Sequence, residues 1–177
     1  PPISLNFYRR FLAWLVLLPF TYKELLSKKK IILDNIFLFS ILGILAVSVF
    51  NSALFYSLRH TQVITGVLMI STVPVMIILF SSLLKIEKTN FFQITGVFLS
   101  LTGVLFIITK ANLNNLLNLS FNKGDIFALI AMFAWSLYST LLKKKEFNIS
   151  PISLLQVVIT FGVIFLIPMY FIDYSLG

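Results

Sequence analysis

Charged residues are absent from five long stretches of this 177-residue chain. The uncharged runs are 24, 25, 21, 17 and 26 residues long and cover Asn35 to Leu58, His60 to Leu84, Thr89 to Thr109, Ile126 to Leu142 and Phe147 to Ile172. A helix rises about 1.5 Å per residue and the hydrocarbon core of a bilayer is about 30 Å thick, so each run can cross a membrane with little or no tilt. The sequence therefore predicts an all-α, polytopic integral membrane protein built as a helical bundle.

The composition excludes most alternatives to such a bundle. Hydrophobic residues make up 59% of the chain and charged residues only 11%, whereas soluble domains are about a quarter charged. The runs also lack the residue-by-residue alternation of a transmembrane β-barrel. The chain has no cysteine, which excludes disulfides and thiolate metal sites, and the sequence predicts no cofactor and no metal site.

Lysines are concentrated in alternate loops. Nine of them follow the first, third and fifth apolar segments, in the loops 23–30, 85–88 and 143–145, whereas the other loops carry only Arg59, Lys110 and Lys123. An excess of basic residues marks the cytoplasmic side, so the net charge of +8 indicates membrane topology and not a nucleic-acid partner. We therefore predict that the lysine-rich loops are cytoplasmic, in a bacterial inner (plasma) membrane.

The first apolar segment differs from the others because Arg9 and Arg10 interrupt it. A helix that begins at Pro2 gives about 20 residues and places both arginines near half depth. With this segment included, the sequence predicts six spans in all, at about 2–21, 35–58, 62–84, 90–109, 125–142 and 151–172. The first span runs from outside to inside, and the lysine-rich loops then alternate correctly through all six.

A short sequence at the start of the chain recurs near its end. Pro2-Ile3-Ser4-Leu5 reappears as Pro151-Ile152-Ser153-Leu154, and at the same offset Leu17 matches Leu166 and Pro19 matches Pro168. The copies lie five spans apart and so cross the bilayer in opposite directions, as in the inverted repeats of secondary transporters. The simplest complete unit has five plus five spans, with one expected before Pro1 and three after Gly177.

The repeat divides the chain into three predicted parts. Residues 1–110 form the first repeat without its first span, residues 111–123 an outer linker, and residues 124–177 the start of the second repeat. Within the linker, Leu113, Leu116, Leu117 and Phe121 share a helical face. The linker is therefore either a helix on the membrane surface or a plain loop.

Several motifs, taken in order, resemble a known transporter family. They are Arg10-Phe11-Leu12-Ala13, Asn51 to Ser57 with Arg59-His60-Thr61, Pro74 followed by Leu84 to Glu87, Gly96 to Val104, and Gly124 to Leu142 with Ala134-Trp135-Ser136. Over nearly its whole length the chain resembles the EamA-like branch of the drug/metabolite transporter superfamily. The resemblance implies ten spans with cytoplasmic termini, of which this chain would hold spans two to seven. It also implies a central cavity between two five-helix halves and export of small metabolites, such as amino acids, or drugs.

Arg10 is the first candidate for the substrate cavity. A central arginine costs about 2.5 to 3.5 kcal/mol on insertion scales, so two adjacent ones need counter-groups, water or a ligand. Successive residues point about 100° apart on a helix. We therefore expect Arg10 to face inward and bind an anionic or carboxylate part of the substrate, while Arg9 snorkels outward. The alternative is that both are interfacial because the span starts later.

Six further residues are candidates for lining the cavity: Asn51, Ser52, Tyr56, Thr65, Trp135 and Tyr138. The first three lie in one region of a helical face, and Trp135 stands near mid-depth, away from the interfacial belt where tryptophan collects. Interhelical hydrogen bonds would explain the polar group without a substrate. A packed core tryptophan would equally explain Trp135.

Pro74 and Glu87 are candidates for a hinge or gate. Pro74 is predicted inside its span, where it removes the hydrogen bond to the carbonyl of Ile70 and kinks the helix. The kink is either a hinge or a static feature. Glu87 lies among lysines and is interpreted as a structural or gating charge at the cytoplasmic mouth, not as a ligand.

A strip of small residues indicates close helix packing on another span. Gly96, Ser100 and Gly103 follow one another four and three residues apart. Such a strip lets a second backbone approach. We assign it to packing and not to substrate binding.

These features predict a transmembrane transporter, a permease or exporter that works by alternating access. All six acidic residues lie at span ends or in loops, so these six spans hold no proton carrier in mid-membrane, which favours facilitated export or exchange unless the missing helices supply a carboxylate relay. The alternatives are a membrane-embedded structural subunit and an intramembrane enzyme. For an enzyme, the chain lacks a Gly-x-Ser-x-Gly elbow, a His-Glu-x-x-His pair and an intramembrane carboxylate dyad, and no catalytic residue is predicted.

Overall fold

The computed structural model describes residues 2–60, 69–87, 90–109 and 122–176, and most of these residues are helical. The α-helices are α1 (Pro2–Ser27), α2 (Lys29–Asp34), α3 (Ile36–Gly43), α4 (Phe50–His60), α5 (Val73–Leu83), α6 (Phe91–Thr109), α7 (Lys123–Lys143) and α8 (Pro151–Leu176). A π-helix, Ile44–Val49, joins α3 to α4. The described ranges contain no strand, and the predicted all-α helical bundle is confirmed.

Three stretches of described helix are long and apolar enough to cross a membrane: Ile36–His60, Lys123–Lys143 and Pro151–Phe171. They correspond to the second, fifth and sixth predicted spans. Two shorter apolar helices, Val73–Leu83 and Phe91–Gly103, lie within the third and fourth predicted spans, and the third span falls partly outside the described residues. α1 carries two arginines and is not among these apolar helices, so its role as a span stays a prediction.

The chain divides into two compact units. The first comprises Pro1–Phe55 and Lys145–Gly177, and the second comprises Tyr56–Lys144. These units cut across the two predicted repeats, whose boundary stays a prediction. The predicted linker at 111–123, including its leucine-rich face, lies almost entirely outside the described residues.

In the first unit, the two helices that open with the repeated sequence pack against each other. α1 and α8 are both 26 residues long, each begins at the proline of Pro-Ile-Ser-Leu, and each contains the second matching proline. The hydroxyls of Tyr8 and Tyr170 lie 2.8 Å apart, so the start of α1 meets the end of α8. At the other end, Glu24 contacts Ser150. The helices therefore run antiparallel, as equivalent spans of an inverted repeat must.

The carboxylate of Glu24 caps the first turn of α8. It accepts hydrogen bonds from the backbone N–H of Ser150 at 2.7 Å, from the hydroxyl of Ser150 and from the hydroxyl of Ser153 at 2.6 Å. The first N–H groups of a helix have no intrahelical partner, so an anion is stabilised there. The hydrogen bonds from the two serines lower the pKa of Glu24 from 4.5 to about 2.

Replacing Glu24 by glutamine should lower stability at neutral pH and have little effect in strong acid. Because the pKa of Glu24 is lowered by folding, its contribution is fully present above the unfolded value of 4.5 and is lost as the pH falls to about 2. Melting temperatures of wild type and Glu24→Gln in detergent, at about pH 7 and about pH 2, measure the difference. Glu146→Gln, at an exposed glutamate, is the control and should show no such trend. A Glu24→Gln deficit that is equal at both pH values would argue against the cap.

The helix that runs from α3 into the π-helix crosses α8 at two glycines. A Cβ atom placed on Gly43 would lie 2.6 Å from the backbone nitrogen of Gly162 and 2.9 Å from the carbonyl oxygen of Val158. A Cβ atom on Gly162 would lie 2.3 Å from the Cβ of Val47. The two backbones therefore meet at this crossing, which only residues without a side chain permit.

In the second unit, α7 packs on α5 through small side chains. Ala128 and Ala131 of α7 are fully buried, and Val73 at the start of α5 is buried as well. α7 begins with a capping box, in which the side chains of Asn122 and Asp125 each accept the other's backbone N–H, at 2.9 and 3.0 Å. This reciprocal cap satisfies two backbone donors and fixes where the helix starts.

Candidate functional site

The inner face of α1 carries polar side chains at intervals of four residues. Asn6, Arg10 and Trp14 lie at i, i+4 and i+8, so they line one side of the helix. Asn6 is fully buried, and Arg10 and Trp14 are half-buried. Facing this side from α8 are Gln156, which is fully buried, and Thr160. We call these five residues the polar seam.

Hydrogen bonds join α1 to α8 within the polar seam. The indole N–H of Trp14 donates to the hydroxyl of Thr160 at 2.9 Å, and the side-chain amide of Gln156 donates to the backbone carbonyl of Trp14 at 3.2 Å. The hydroxyl of Thr160 donates in turn to the backbone carbonyl of Gln156 at 2.8 Å. Lipid offers no replacement for these bonds, so they hold the facing side chains in a defined arrangement.

Asn6 ties the polar seam to the neighbouring helix. Its side-chain NH2 group donates to the backbone carbonyl of Val47 at 2.8 Å and to the hydroxyl of Ser52 at 3.1 Å. Val47 lies in the π-helix and Ser52 lies in α4. Ser52, a predicted cavity residue, thus makes an interhelical hydrogen bond, and its contact with a substrate stays a prediction.

The π-helix changes which backbone carbonyls need a side-chain donor. Its backbone bonds run from residue i+5 to residue i, as from the N–H of Phe50 to the carbonyl of Leu45. Asn51 is buried, and its side chain donates to the carbonyl of Ala46 at 2.6 Å. Asn51 is therefore a helix-stabilising residue in this structure, and a role in the substrate cavity stays a prediction.

The two arginines of α1 face different surroundings. Arg9 is exposed, and its guanidinium carbon lies 5.9 Å from the ring centre of Phe55, within cation–π range. Arg10 is half-buried and its Nε atom is buried. Asn6 and Trp14 flank Arg10 one helical turn away on either side, so the positive charge lies inside the polar seam. Binding of a substrate anion by Arg10 stays a prediction.

Two side-chain oxygens of the polar seam, Asn6 Oδ1 and Gln156 Oε1, are buried and accept no hydrogen bond from the described part of the chain. The orientation of each amide is fixed at its other end, because the carbonyls of Val47 and Trp14 can only accept and must face the NH2 group. What remains in each case is therefore an acceptor. A buried acceptor without a donor costs roughly 1–3 kcal/mol, and such a group in a native protein indicates a bound water or ligand.

The aromatic cavity candidates lie in the second unit. The ring of Tyr56 stacks on that of His60 with centres 4.4 Å apart, and its centre lies 4.2 Å from that of Phe127. Trp135 and Tyr138 are half-buried neighbours on α7 with ring centres 5.2 Å apart. These contacts show aromatic packing within the unit, and a part in binding substrate stays a prediction for all three candidates.

Pro74 lies at the start of a helix and not inside one. Residues 71–72 form a turn, in which the N–H of Thr72 donates to the carbonyl of Met69 at 3.0 Å, and α5 begins at Val73. Proline fits a first helical turn because the N–H there has no intrahelical partner. The described helix is thus interrupted directly before Pro74, and a kink or hinge at this position stays a prediction. Thr65, the remaining cavity candidate, lies outside the described residues.

Glu87, the second gate candidate, forms an exposed ion pair with Lys143. The Lys143 Nζ and Glu87 Oε1 atoms are 3.5 Å apart, and both side chains are half exposed. Glu87→Gln should change the free energy of unfolding by less than about 1 kcal/mol, because solvent and salt screen such pairs. Melting temperatures at low and high salt test this. A large loss that persists in high salt would show that Glu87 does more than pair with Lys143, and its gating role stays a prediction.

The predicted packing strip on α6 meets no partner within the described ranges. A Cβ atom on Gly96 or Gly103 would find no atom within 4 Å, and Ser100 is exposed. The close helix crossing lies instead at Gly43 and Gly162. Packing at the strip stays a prediction.

A cavity of about 310 Å³ lies between α5 and α6 in the second unit. Its wall is almost wholly apolar and is formed by Val75, Ile78, Leu79, Ser82, Ile94 and Val97. Polar ligands are oriented by a few converging polar groups, which this cavity lacks and the polar seam supplies. The polar seam is therefore the better candidate for binding a polar molecule.

Sequence patterns did not indicate Asn6, Gln156 or Thr160. Their predicted depth in the membrane could have indicated them. Asn6 lies one turn before Arg10, and Gln156 lies within an uncharged run of 26 residues, where an amide needs a partner. Gly162 could also have been found from the sequence, because the alignment of the two repeats pairs it with Ala13, another small residue.

Apolar helices packed around buried polar side chains define an integral membrane protein. The chain belongs to the EamA-like transporter family, which matches residues 1–109, and the resemblance drawn from the motifs is confirmed. The match to this family also supports the prediction that the chain is part of a membrane transporter of the drug/metabolite transporter kind.

Similar proteins are known as uncharacterized transporters. One from Bacillus subtilis (strain 168), YyaM, is 26% identical over 140 residues, which are 79% of this chain and 46% of that protein. One from Clostridium kluyveri is 32% identical over 133 residues, 74% of this chain and 43% of its own length. One from Archaeoglobus fulgidus is 29% identical over 167 residues, which are 94% of this chain and 56% of that protein. The chain thus spans about half the length of the curated relatives it matches. No solved structure shows a significant match.

Proposed function

We propose that the protein transports a small polar metabolite or drug across the membrane by alternating access, and that Arg10 binds an anionic group of the substrate in the polar seam. One observation carries the proposal: Arg10 is half-buried on the same face of α1 as the fully buried Asn6, and the backbone of this helix hydrogen-bonds to the fully buried Gln156 of α8. A buried cation of this kind marks a substrate or ion pathway in membrane proteins.

The antiparallel α1–α8 pair supports the alternating-access part of the proposal. Inverted repeats place the substrate near the bilayer midplane and let one half rock against the other. The polar seam lies between equivalent helices of the two predicted repeats, where such a site is expected. Names of the relatives point the same way, since all three are called transporters.

Two further features belong to the proposal. The lysine-rich loops at 23–30, 85–88 and 143–145 lie in the cytoplasm and the protein resides in an inner (plasma) membrane. Because the six acidic residues of the sequence lie at the ends of the predicted spans or in loops, substrate moves by facilitated export or exchange and not by a carboxylate proton relay in these spans.

Flux through proteoliposomes tests the function. The complete natural protein is reconstituted, and entry of radiolabelled organic anions such as malate and succinate is compared with entry of labelled cationic drugs and with protein-free liposomes. We expect saturable flux of anions above the protein-free background. Flux of cations alone would contradict the role of Arg10. Absence of any flux would favour a structural subunit, and turnover of a substrate without flux would favour an enzyme.

A further inference from the structure

The polar seam presents both hydrogen-bond donors and hydrogen-bond acceptors. Arg10 offers only donors, since a guanidinium has no acceptor. Asn6 Oδ1 and Gln156 Oε1 offer only acceptors, because the donor end of each amide is already bound to a backbone carbonyl. Asn6 precedes Arg10 by one turn, and Gln156 bonds to Trp14, one turn beyond Arg10. The acceptors therefore flank the cation on both sides along α1.

We infer that Asn6 Oδ1 and Gln156 Oε1 line a water-accessible pocket that takes a small organic anion carrying its own O–H or N–H donor. The anionic group faces Arg10, and the donor of the same molecule fills one of the two buried acceptors. The inference rests on the proposed function, and it adds the requirement for a donor and the two residues that impose it.

The chemistry of the pocket explains why a donor is required. An anion without a donor would bind near Arg10 but leave both amide oxygens buried and unpaired. A site built to hydrogen-bond a ligand group rejects the analogue that lacks it, because its own polar group then remains unpaired. One helical turn separates Asn6 from Arg10 by roughly 6 Å along the axis, which places the donor and the anionic group a few bonds apart in the ligand.

Thiol labelling tests whether the pocket admits water. This chain has no cysteine, and any cysteine elsewhere in the complete protein is first replaced by serine, so that Asn6→Cys and Gln156→Cys introduce single thiols. The probe is an anionic methanethiosulfonate, the ethylsulfonate, added to membranes that contain the complete protein. Both thiols should react at least about tenfold faster than Leu166→Cys, the matched control, because Leu166 is equally buried but is an apolar side chain with no group that binds water. Reaction no faster than the control at both positions would overturn the pocket.

The charge of the reagent tests the anion. Rates with the ethylsulfonate and with the cationic ethyltrimethylammonium reagent are each divided by the rate with a small free thiol. At both positions we expect a normalised preference for the anion of about tenfold, since a nearby fixed charge raises the local concentration of counter-ions. Adding Arg10→Gln should remove this preference. A pocket that prefers the cation, or a preference that Arg10→Gln does not change, would overturn the inference.

The donor is tested by protection. Malate and succinate carry the same two carboxylates, and malate adds one hydroxyl. Malate should slow the labelling of Gln156→Cys when Asn6 is intact, and the labelling of Asn6→Cys when Gln156 is intact, at concentrations several times lower than succinate. Equal protection by the two, or protection by neither, would overturn the requirement for a donor. Labelling needs no transport, so a protein that labels as expected but shows no flux would refute the proposed function and leave the pocket standing.

Discussion

Arg10→Ala will reduce the transport rate at low substrate concentration by about 10- to 100-fold, because a hydrogen bond to a charged group contributes about 1.5–3 kcal/mol. Arg10 belongs to the polar seam and its Nε atom is buried, so part of the guanidinium is shielded from bulk solvent. Proteoliposome flux with matched amounts of protein measures the ratio. Arg10→Lys keeps the charge but loses the planar set of donors, and should fall between wild type and Arg10→Ala.

Arg9→Ala is the matched control for this prediction. The two residues are adjacent and carry the same charge, but Arg9 is exposed and its guanidinium lies over the ring of Phe55. Its removal should leave flux within about twofold of wild type, since exposed charges contribute little free energy. Size-exclusion profiles of both variants establish that they fold. Equal loss of flux in the two variants, with normal folding, would show that net charge at this depth matters and not the inward position of Arg10.

Gly43→Ala will cause a large loss of stability for the addition of a single methyl group. The new Cβ atom would lie 2.6 Å from the backbone nitrogen of Gly162, and backbone atoms cannot rotate away as a side chain can. Overpacking costs about 1–3 kcal/mol and sometimes more, which exceeds the gain of about 0.5–1 kcal/mol that alanine brings to a helix. The melting temperature in detergent should therefore fall by several degrees, at about 2–4 °C per kcal/mol.

Gly103→Ala is the control for the glycine crossing. Gly103 also lies within a helix, and its added Cβ atom would meet nothing within 4 Å in the described part of the chain. Its melting temperature should be unchanged or slightly raised, because only helix propensity changes. If Gly43→Ala and Gly103→Ala behave alike, the close approach of α3 to α8 is wrong.

The pairing of α1 with α8 shows how much of the fold the repeated sequence predicted. Four matching residues and a matching proline indicated two equivalent helices in opposite directions. The structure gives these helices the same length and the same starting residue, and packs them antiparallel. Repeats are visible in sequence because both copies must form the same local structure. Which faces of the copies meet was not visible.

The polar residues show where sequence patterns stopped. Arg10 stood out because a charge within an apolar segment is expensive. Asn6 and Gln156 did not, because a neutral amide is common and its cost depends on whether a partner lies on another helix. Pro74 shows the same limit. The sequence placed it within a span, and only the structure shows the turn at 71–72 before it and the start of α5 at Val73.

The amino-acid sequence by itself determined that this protein is surrounded by lipid and that it is helical. Long uncharged runs are stable only in lipid, and lipid requires every backbone group to be bonded within its own helix, so the membrane environment and the helical class follow from hydropathy alone. Tertiary structure decided which polar atoms find partners. Contacts such as Asn6 to Val47 and the Gly43–Gly162 crossing join residues 41 or more positions apart in sequence, and they depend on how helices rotate and approach, which no local pattern records.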